Sequence, residues 1–161
     1  MRMNEGVEWA LHTCLNLSWA EPGEAVPAAR LAAFYKLPAA YLNKQLQALA
    51  RAGILTSTSG PRGGFRLARP PERITLLDVV VAIEGPQEAF RCEQILREGP
   101  GADPRTDYRE HCVLSQAMRR AELAWRRELA SRTLADIRAS VEDLNPAAGD
   151  LTRGRLADLR A

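Results

Sequence analysis

The 161-residue sequence predicts a mainly α-helical fold with a small β-hairpin wing, a winged helix-turn-helix followed by a long dimerisation helix. Three observations predict it. The early segments run in the order helix, helix, turn, helix, hairpin. The stretch between Glu24 and Glu72 holds no acidic residue but carries Arg30, Lys36, Lys44, Arg51, Arg62, Arg66 and Arg69, seven positive charges in a chain of net charge +2. A late apolar stripe is too long for the rest of the chain to cover.

Residues 4–19 read as the first helix, because Val7, Leu11, Cys14, Leu15 and Ser18 recur at the three- and four-residue spacing of a buried face. Residues 27–35 read as a short second helix with Pro27 in its first turn, where a missing N–H costs nothing. Leu37-Pro38 makes the turn. A third helix spans about 39–52, with Leu42, Leu46 and Leu49 as its buried stripe and Gly53 at its end. The β-prone run 54–58, the turn 59–64 and the returning strand 65–68 form the hairpin. Residues 75–84 (TLLDVVVAIE) read as a buried helix. Periodicity is lost from Gly85 to about His111, among Pro86, Gly99, Pro100, Gly101 and Pro104; structureless stretches of that length are usually functional or disordered.

A single helix is expected over 112–144. Leu114, Met118, Ala121 and Trp125 lie on one stripe, which Ala130, Leu134, Ile137, Val141 and Leu144 continue with a drift. A second copy is the expected cover, giving a two-fold homodimer. The expected organisation is therefore a DNA-binding head (1–72), a linking helix and cysteine-bearing loop (73–111), a dimerisation helix (112–144) and a mobile tail (145–161).

The basic, acid-free segment favours phosphate backbones as partners. On the third helix, Ala40, Tyr41, Asn43, Lys44, Gln47 and Arg51 form the wet face. Asn and Gln side chains match adenine edges, and Lys reaches guanine or phosphate. Gly60-Pro61-Arg62-Gly63-Gly64 is the wing tip: its glycines let backbone approach phosphate, and Arg62 suits a minor groove. The expected partner is double-stranded DNA with a two-fold-symmetric operator. No run of eighteen apolar residues is present and the N-terminus lacks a signal-peptide pattern, so a cytoplasmic protein without membrane association is expected. The wing glycines open a hairpin rather than a helix, which argues against a nucleotide-binding loop, and no nucleophile–base constellation is evident. An enzyme is not expected.

Leu37 to Leu49 (LPAAYLNKQLQAL), Ala52-Gly53-Ile54-Leu55, Gly60 to Phe65 and Ile74 to Val80 together resemble the winged-helix regulators typified by IscR and NsrR. A cysteine-bearing loop before a long helix continues the resemblance, which covers about residues 1–140. It implies a dimeric transcription regulator, with repression more frequent than activation, and an iron–sulfur cluster that controls DNA affinity.

The cluster proteins of that family carry three closely spaced cysteines in this loop. Here Cys92 and Cys112 have nineteen residues between them and the middle one is absent; Ser115 replaces a histidine that ligates in the IscR branch. A cluster ordinarily takes four protein ligands. Glu8 and His12, four residues apart on the first helix, share one face. With the resemblance they suggest a [2Fe–2S] cluster, preferred over [4Fe–4S], held by Cys92 and Cys112 of one subunit and Glu8 and His12 of its partner, with His111 as reserve ligand. Trp9, beside Glu8, either covers the cluster as a gate or simply packs. Cys14, on the buried stripe, reads as a core cysteine. A metal-free thiol or small-molecule switch and a [4Fe–4S] nitric-oxide sensor remain alternatives. The spacing lacks the short paired cysteines of structural zinc sites.

Overall fold

The computed structural model describes residues 3–159. The head contains helices α1 (Glu5–Leu17), α2 (Ala28–Phe34) and α3 (Ala39–Arg51), then the hairpin strands β1 (Leu55–Thr58) and β2 (Gly64–Leu67). Asn4 caps α1 by accepting from the Gly6 N–H. The expected stripes meet in one core: Val7, Cys14, Leu31, Leu42, Leu46, Leu49, Ile54 and Phe65 are all buried.

The hairpin is antiparallel, with Leu55 opposite Leu67 and Thr58 opposite Gly64. Val26, just before α2, exchanges two backbone hydrogen bonds with Phe65 at 2.9 Å each, so the wing is tied to the base of the helix-turn-helix. That tie explains Gly64, where a Cβ would collide with the Val26 carbonyl. At Gly63 a Cβ would collide with the Thr58 carbonyl oxygen. Both glycines thus have a reason in the chain's own packing, besides any approach to phosphate.

Helix α4 (Leu76–Glu84) begins with a reciprocal capping box between Thr75 and Asp78, which fixes its start despite its β-branched run. It packs against α1 and α3. The loop that follows contains only a short helix α5 (Tyr108–His111) and one 3₁₀ turn, Ile95–Glu98.

The expected continuous helix over 112–144 is instead two helices, α6 (Val113–Ala130) and α7 (Leu134–Leu144). Thr133 and Asp136 form a second capping box that restarts the chain as a new helix. The break is held against the head: the Leu76 N–H donates to the Arg132 carbonyl at 2.9 Å and the Leu134 N–H to the Ile74 carbonyl at 2.8 Å. Leu134 enters the head core. The drift in the apolar stripe is therefore a change of partner, with Leu134, Ile137 and Val141 packing within the chain.

The expected mobile tail is also corrected. Residues 148–158 form helix α8 (Ala148–Asp158), which packs on α2 and α7. Leu156 reaches the core, Gly149 lets α8 approach the Trp19 indole closely, and the Arg155 guanidinium lies 5.3 Å from the Phe34 ring centroid. The Trp19 Nε1–H donates to Glu142 of α7 at 2.7 Å. The tail's composition hid this helix because most of what it buries is small: Ala148, Gly149 and Thr152 accompany Leu156.

Candidate nucleic-acid interface and cysteine loop

Helix α3 presents two faces with different chemistry. Leu42, Gln45, Leu46 and Leu49 are buried, whereas Ala40, Tyr41, Asn43, Lys44, Gln47 and Arg51 are all exposed. Arg62 is exposed at the wing tip, and Lys36 and Arg66 are exposed beside these elements. Two of the seven cations have local work. Arg30 pairs with Glu24 at 3.6 Å and Arg69 with Asp78 at 3.7 Å. Lys36, Lys44, Arg51, Arg62 and Arg66 have no ion pair among the described residues, so their charge is available to phosphate. Sequence patterning missed Gln45, a polar residue on the buried stripe. Its side-chain amide fills the space over Gly6, where a Cβ would meet it at 2.8 Å.

The loop from Gly85 to Cys112 has no fully buried residue. Its order comes from local hydrogen bonds. The Asp103 N–H donates to the Tyr108 hydroxyl at 2.9 Å, Asp103 accepts from the Arg105 N–H, and Asp107 caps α5 by accepting from the Arg109 N–H. Cys92 is half-buried and lines a 320 Å³ cavity with Phe90, Arg91, Arg109, Ser115 and Arg119, among others. Cys112 is half-buried at the N-cap of α6. His111 is exposed, and its Nδ1 lies 2.9 Å from the Asp107 carbonyl oxygen, a contact in which the ring N–H donates.

Glu8 and His12 stand one turn apart on the outer face of α1, both exposed. They line a shallow 380 Å³ groove with Val7 and Leu11. His12 also borders a 230 Å³ apolar groove between α1, α4 and α7. Trp9 is half-buried and stacks edge-on against Tyr35 with ring centroids 5.4 Å apart. Cys14 is fully buried, and burial pushes its thiol up to about 12. It is a core cysteine.

Among the described residues, one chain brings no three His, Cys, Asp or Glu side chains together as a metal-holding group. The two loop thiols and the Glu8/His12 pair lie on separate elements, the loop and helix α1.

Residues 3–140 match Rrf2, described as an iron-dependent transcriptional regulator. The chain belongs to the Rrf2 family. YwgB of Bacillus subtilis, described as an HTH-type transcriptional regulator, is 29% identical over 147 residues, 89% of this chain and 88% of that one. The fold resembles T. potens IscR with a TM-score of 0.66 at 20% identity, covering 90% of this chain and 91% of that one. It also resembles CymR, titled the global cysteine regulator of B. subtilis, with a TM-score of 0.64 at 20% identity, covering 87% and 98%. The Rrf2 chain described here is thus a winged-helix, DNA-binding transcription regulator and not an enzyme. No helix among its described residues is long and apolar enough to cross a membrane.

Proposed function

We propose that two copies of the chain form a homodimer that binds a two-fold-symmetric operator as a repressor. DNA affinity is controlled by the redox state of a [2Fe–2S] cluster held by Cys92 and Cys112 of one subunit and Glu8 and His12 of the other. One observation carries the proposal: Glu8 and His12 are exposed on the outer face of α1, whose inner face packs against the reading helix α3. A ligand pair there is mechanically connected to the DNA-reading surface.

The donors suit a group shared between chains. Both loop thiols are free and only half-buried, and the loop has no core of its own to shield them. The exposed α6 stripe gives a second copy a surface to cover: Leu114 is 74% exposed and Met118 44%. The adjoining flank of α6 is already occupied, with Arg126 bound to Glu122 at 2.7 Å and to the Pro86 and Gln87 carbonyls at 3.2 Å.

When bound, such a cluster supplies a one-electron change in charge, at a potential raised by imidazole in place of thiolate. The residues of the chain perform the rest. Glu8 and His12 hold α1 against the partner's loop, and a change in that grip tilts α1. Gly6 and Gln45 pass the tilt to α3 through their close contact. Asn43, Lys44, Gln47 and Arg51 then meet the major groove in or out of register, while Arg62 does the same at the wing. Two heads must match the spacing of two half-sites, so a small tilt changes affinity steeply.

Anaerobic purification with iron, sulfide and absorption measurements tests the cofactor. By two-fold symmetry a dimer has two such sites, so about two iron and about two sulfide per chain with visible absorbance are expected under iron-replete expression; their absence contradicts the proposal. His12→Ala separates the ligands: an unchanged spectrum and redox response would exclude His12 and transfer the role to His111. A [4Fe–4S] centre would appear in the same spectra. A second reading, a metal-free thiol switch, is favoured by the partial exposure of Cys92 and Cys112 against the complete burial of Cys14. Non-reducing gels of metal-free protein distinguish it.

A further inference from the structure

Cys92 and Cys112 are both half-buried, yet their surroundings differ. Cys92 lines the 320 Å³ cavity between the loop and the first turns of α6, a volume within the ~300–1,000 Å³ range of small-molecule sites. Cys112, at the N-cap of α6, lies outside that lining. Three arginines also line the cavity: Arg91 from the loop, Arg109 from α5 and Arg119 from α6. The ion pairs of the loop and of α6 use Arg105 and Arg126 instead, so these three guanidinium groups are unpaired among the described residues.

Ser115 belongs to the same wall and is only 1% exposed. The side-chain hydrogen bonds of α6 run from Gln116 and Arg126, and none among the described residues engages the Ser115 hydroxyl. A buried hydroxyl on a cavity wall without a partner carries a cost that a ligand oxygen removes. The first turn of α6 holds no acidic residue, and its N-cap makes no side-chain capping bond, so its N–H groups add to the positive field. Glu88 and Glu93 line the cavity as well. The wall therefore suits a ligand with carboxylates for the arginines and an ammonium group for the glutamates, the charge pattern of an amino acid or a short peptide.

We propose that this cavity is a modification site, which guides a low-molecular-weight disulfide derived from an amino acid or short peptide to Cys92 and so caps that thiol as a mixed disulfide. The Cys92 thiol gives its proton to solvent, and the thiolate sulfur attacks one sulfur of the bound disulfide. A new bond forms to Cys92 Sγ, the original S–S bond breaks, and the other half leaves as a thiolate. The Cys92 sulfur is oxidised and the leaving sulfur reduced, so the small disulfide itself is the oxidant. Arg91, Arg109 and Arg119 hold its carboxylates, and the Ser115 hydroxyl donates to one of them. A capped Cys92 has no thiolate to offer a metal, so the adduct closes the loop to a cluster. The inference rests on the thiol-switch reading above and specifies which thiol reacts and with what.

The test uses full-length, reduced, metal-free protein and two probes: dithiobis-nitrobenzoate, a disulfide with two carboxylates, and dithiodipyridine, a neutral one. Adduct formation at Cys92 and at Cys112 is followed by peptide mass spectrometry. Comparing a charged with a neutral probe at the same sulfur cancels that sulfur's intrinsic reactivity. The Cys92-to-Cys112 rate ratio is expected to be at least about tenfold higher for the charged probe, the lower end of what a charged cleft does to association rates. Combining Arg91→Gln, Arg109→Gln and Arg119→Gln is expected to bring the two ratios within about twofold of each other. All three side chains belong to exposed residues, and Arg119→Gln alone, with a smaller loss in the same direction, serves if the triple variant fails to fold. Equal ratios for the two probes in the wild type, or a charged-probe preference that survives in the variants, overturns the site. A Cys92–Cys112 disulfide formed equally fast with both probes overturns it while leaving the thiol switch standing. No reaction at either loop thiol contradicts the thiol switch and the site together.

Discussion

The head and the cysteine loop are built on opposite principles. In the head, Leu31, Leu42, Leu46 and Leu49 are 0% exposed and a single core joins three helices to the wing. In the loop from Gly85 to Cys112 no residue is fully buried, and order comes from turns and short caps. The head is stabilised by its own apolar burial and presents its chemistry outward. The loop places two half-buried thiols and nearby arginines on a frame without a core of its own. A surface that reads DNA must be rigid beforehand, whereas a sensing loop gains from being completed by something else.

The largest expected effect separates the two regions. Cys92→Ser should abolish iron content and visible absorbance while leaving the thermal unfolding midpoint of the metal-free protein nearly unchanged, because the loop contributes little core. A large drop in that midpoint would show that the loop is structural after all.

Leu46→Ala should act in reverse. Removing a fully buried leucine from a close-packed core costs about 2–5 kcal/mol, measurable by urea unfolding. Its loop thiols should react with labelling reagents as in the wild type under native conditions.

Cys14 sharpens the same contrast through pH. Its thiol goes from 9.0 to about 12 on burial. The neutral form is favoured in the folded state, so its stabilising contribution is complete below pH 9.0 and is lost as pH rises towards about 12. Urea midpoints should fall over that window in the wild type and fall less in Cys14→Ala. In native protein below that window, Cys14 should label much more slowly than Cys92 or Cys112.

Smaller effects belong to the reading face. Gln47→Ala should cost about 1–3 kcal/mol of operator affinity and relax preference at one base pair, if it meets a base edge. Lys44→Ala should weaken binding across sequences and reduce the salt slope by about one, the signature of a phosphate contact. Competition binding at several salt concentrations distinguishes the two roles.

The head was legible in the sequence because its periodicities are strong and its turns carry Pro and Gly. Leu42, Leu46 and Leu49 needed only the spacing rule, and the absence of acid over residues 25–71 marked the charged face. The break before α7 was signalled by Thr133 and Asp136, a capping pair overridden by the apolar stripe on either side. Helix α8 was not legible, since Ala148, Gly149 and Thr152 are buried for being small rather than apolar. Cys92 and Cys112 were legible as two half-buried loop thiols, whereas their proposed use with Glu8 and His12 involves a second chain that one sequence does not display.

The central claim is that the loop governs what the head binds. It is tested most directly by measuring affinity for the promoter beside its own gene with oxidised, reduced and cluster-free protein at one fixed salt concentration. The account predicts that one of the three forms binds at least about fivefold more tightly than another. Equal affinity in all three would contradict it and leave a DNA-binding regulator with no redox control.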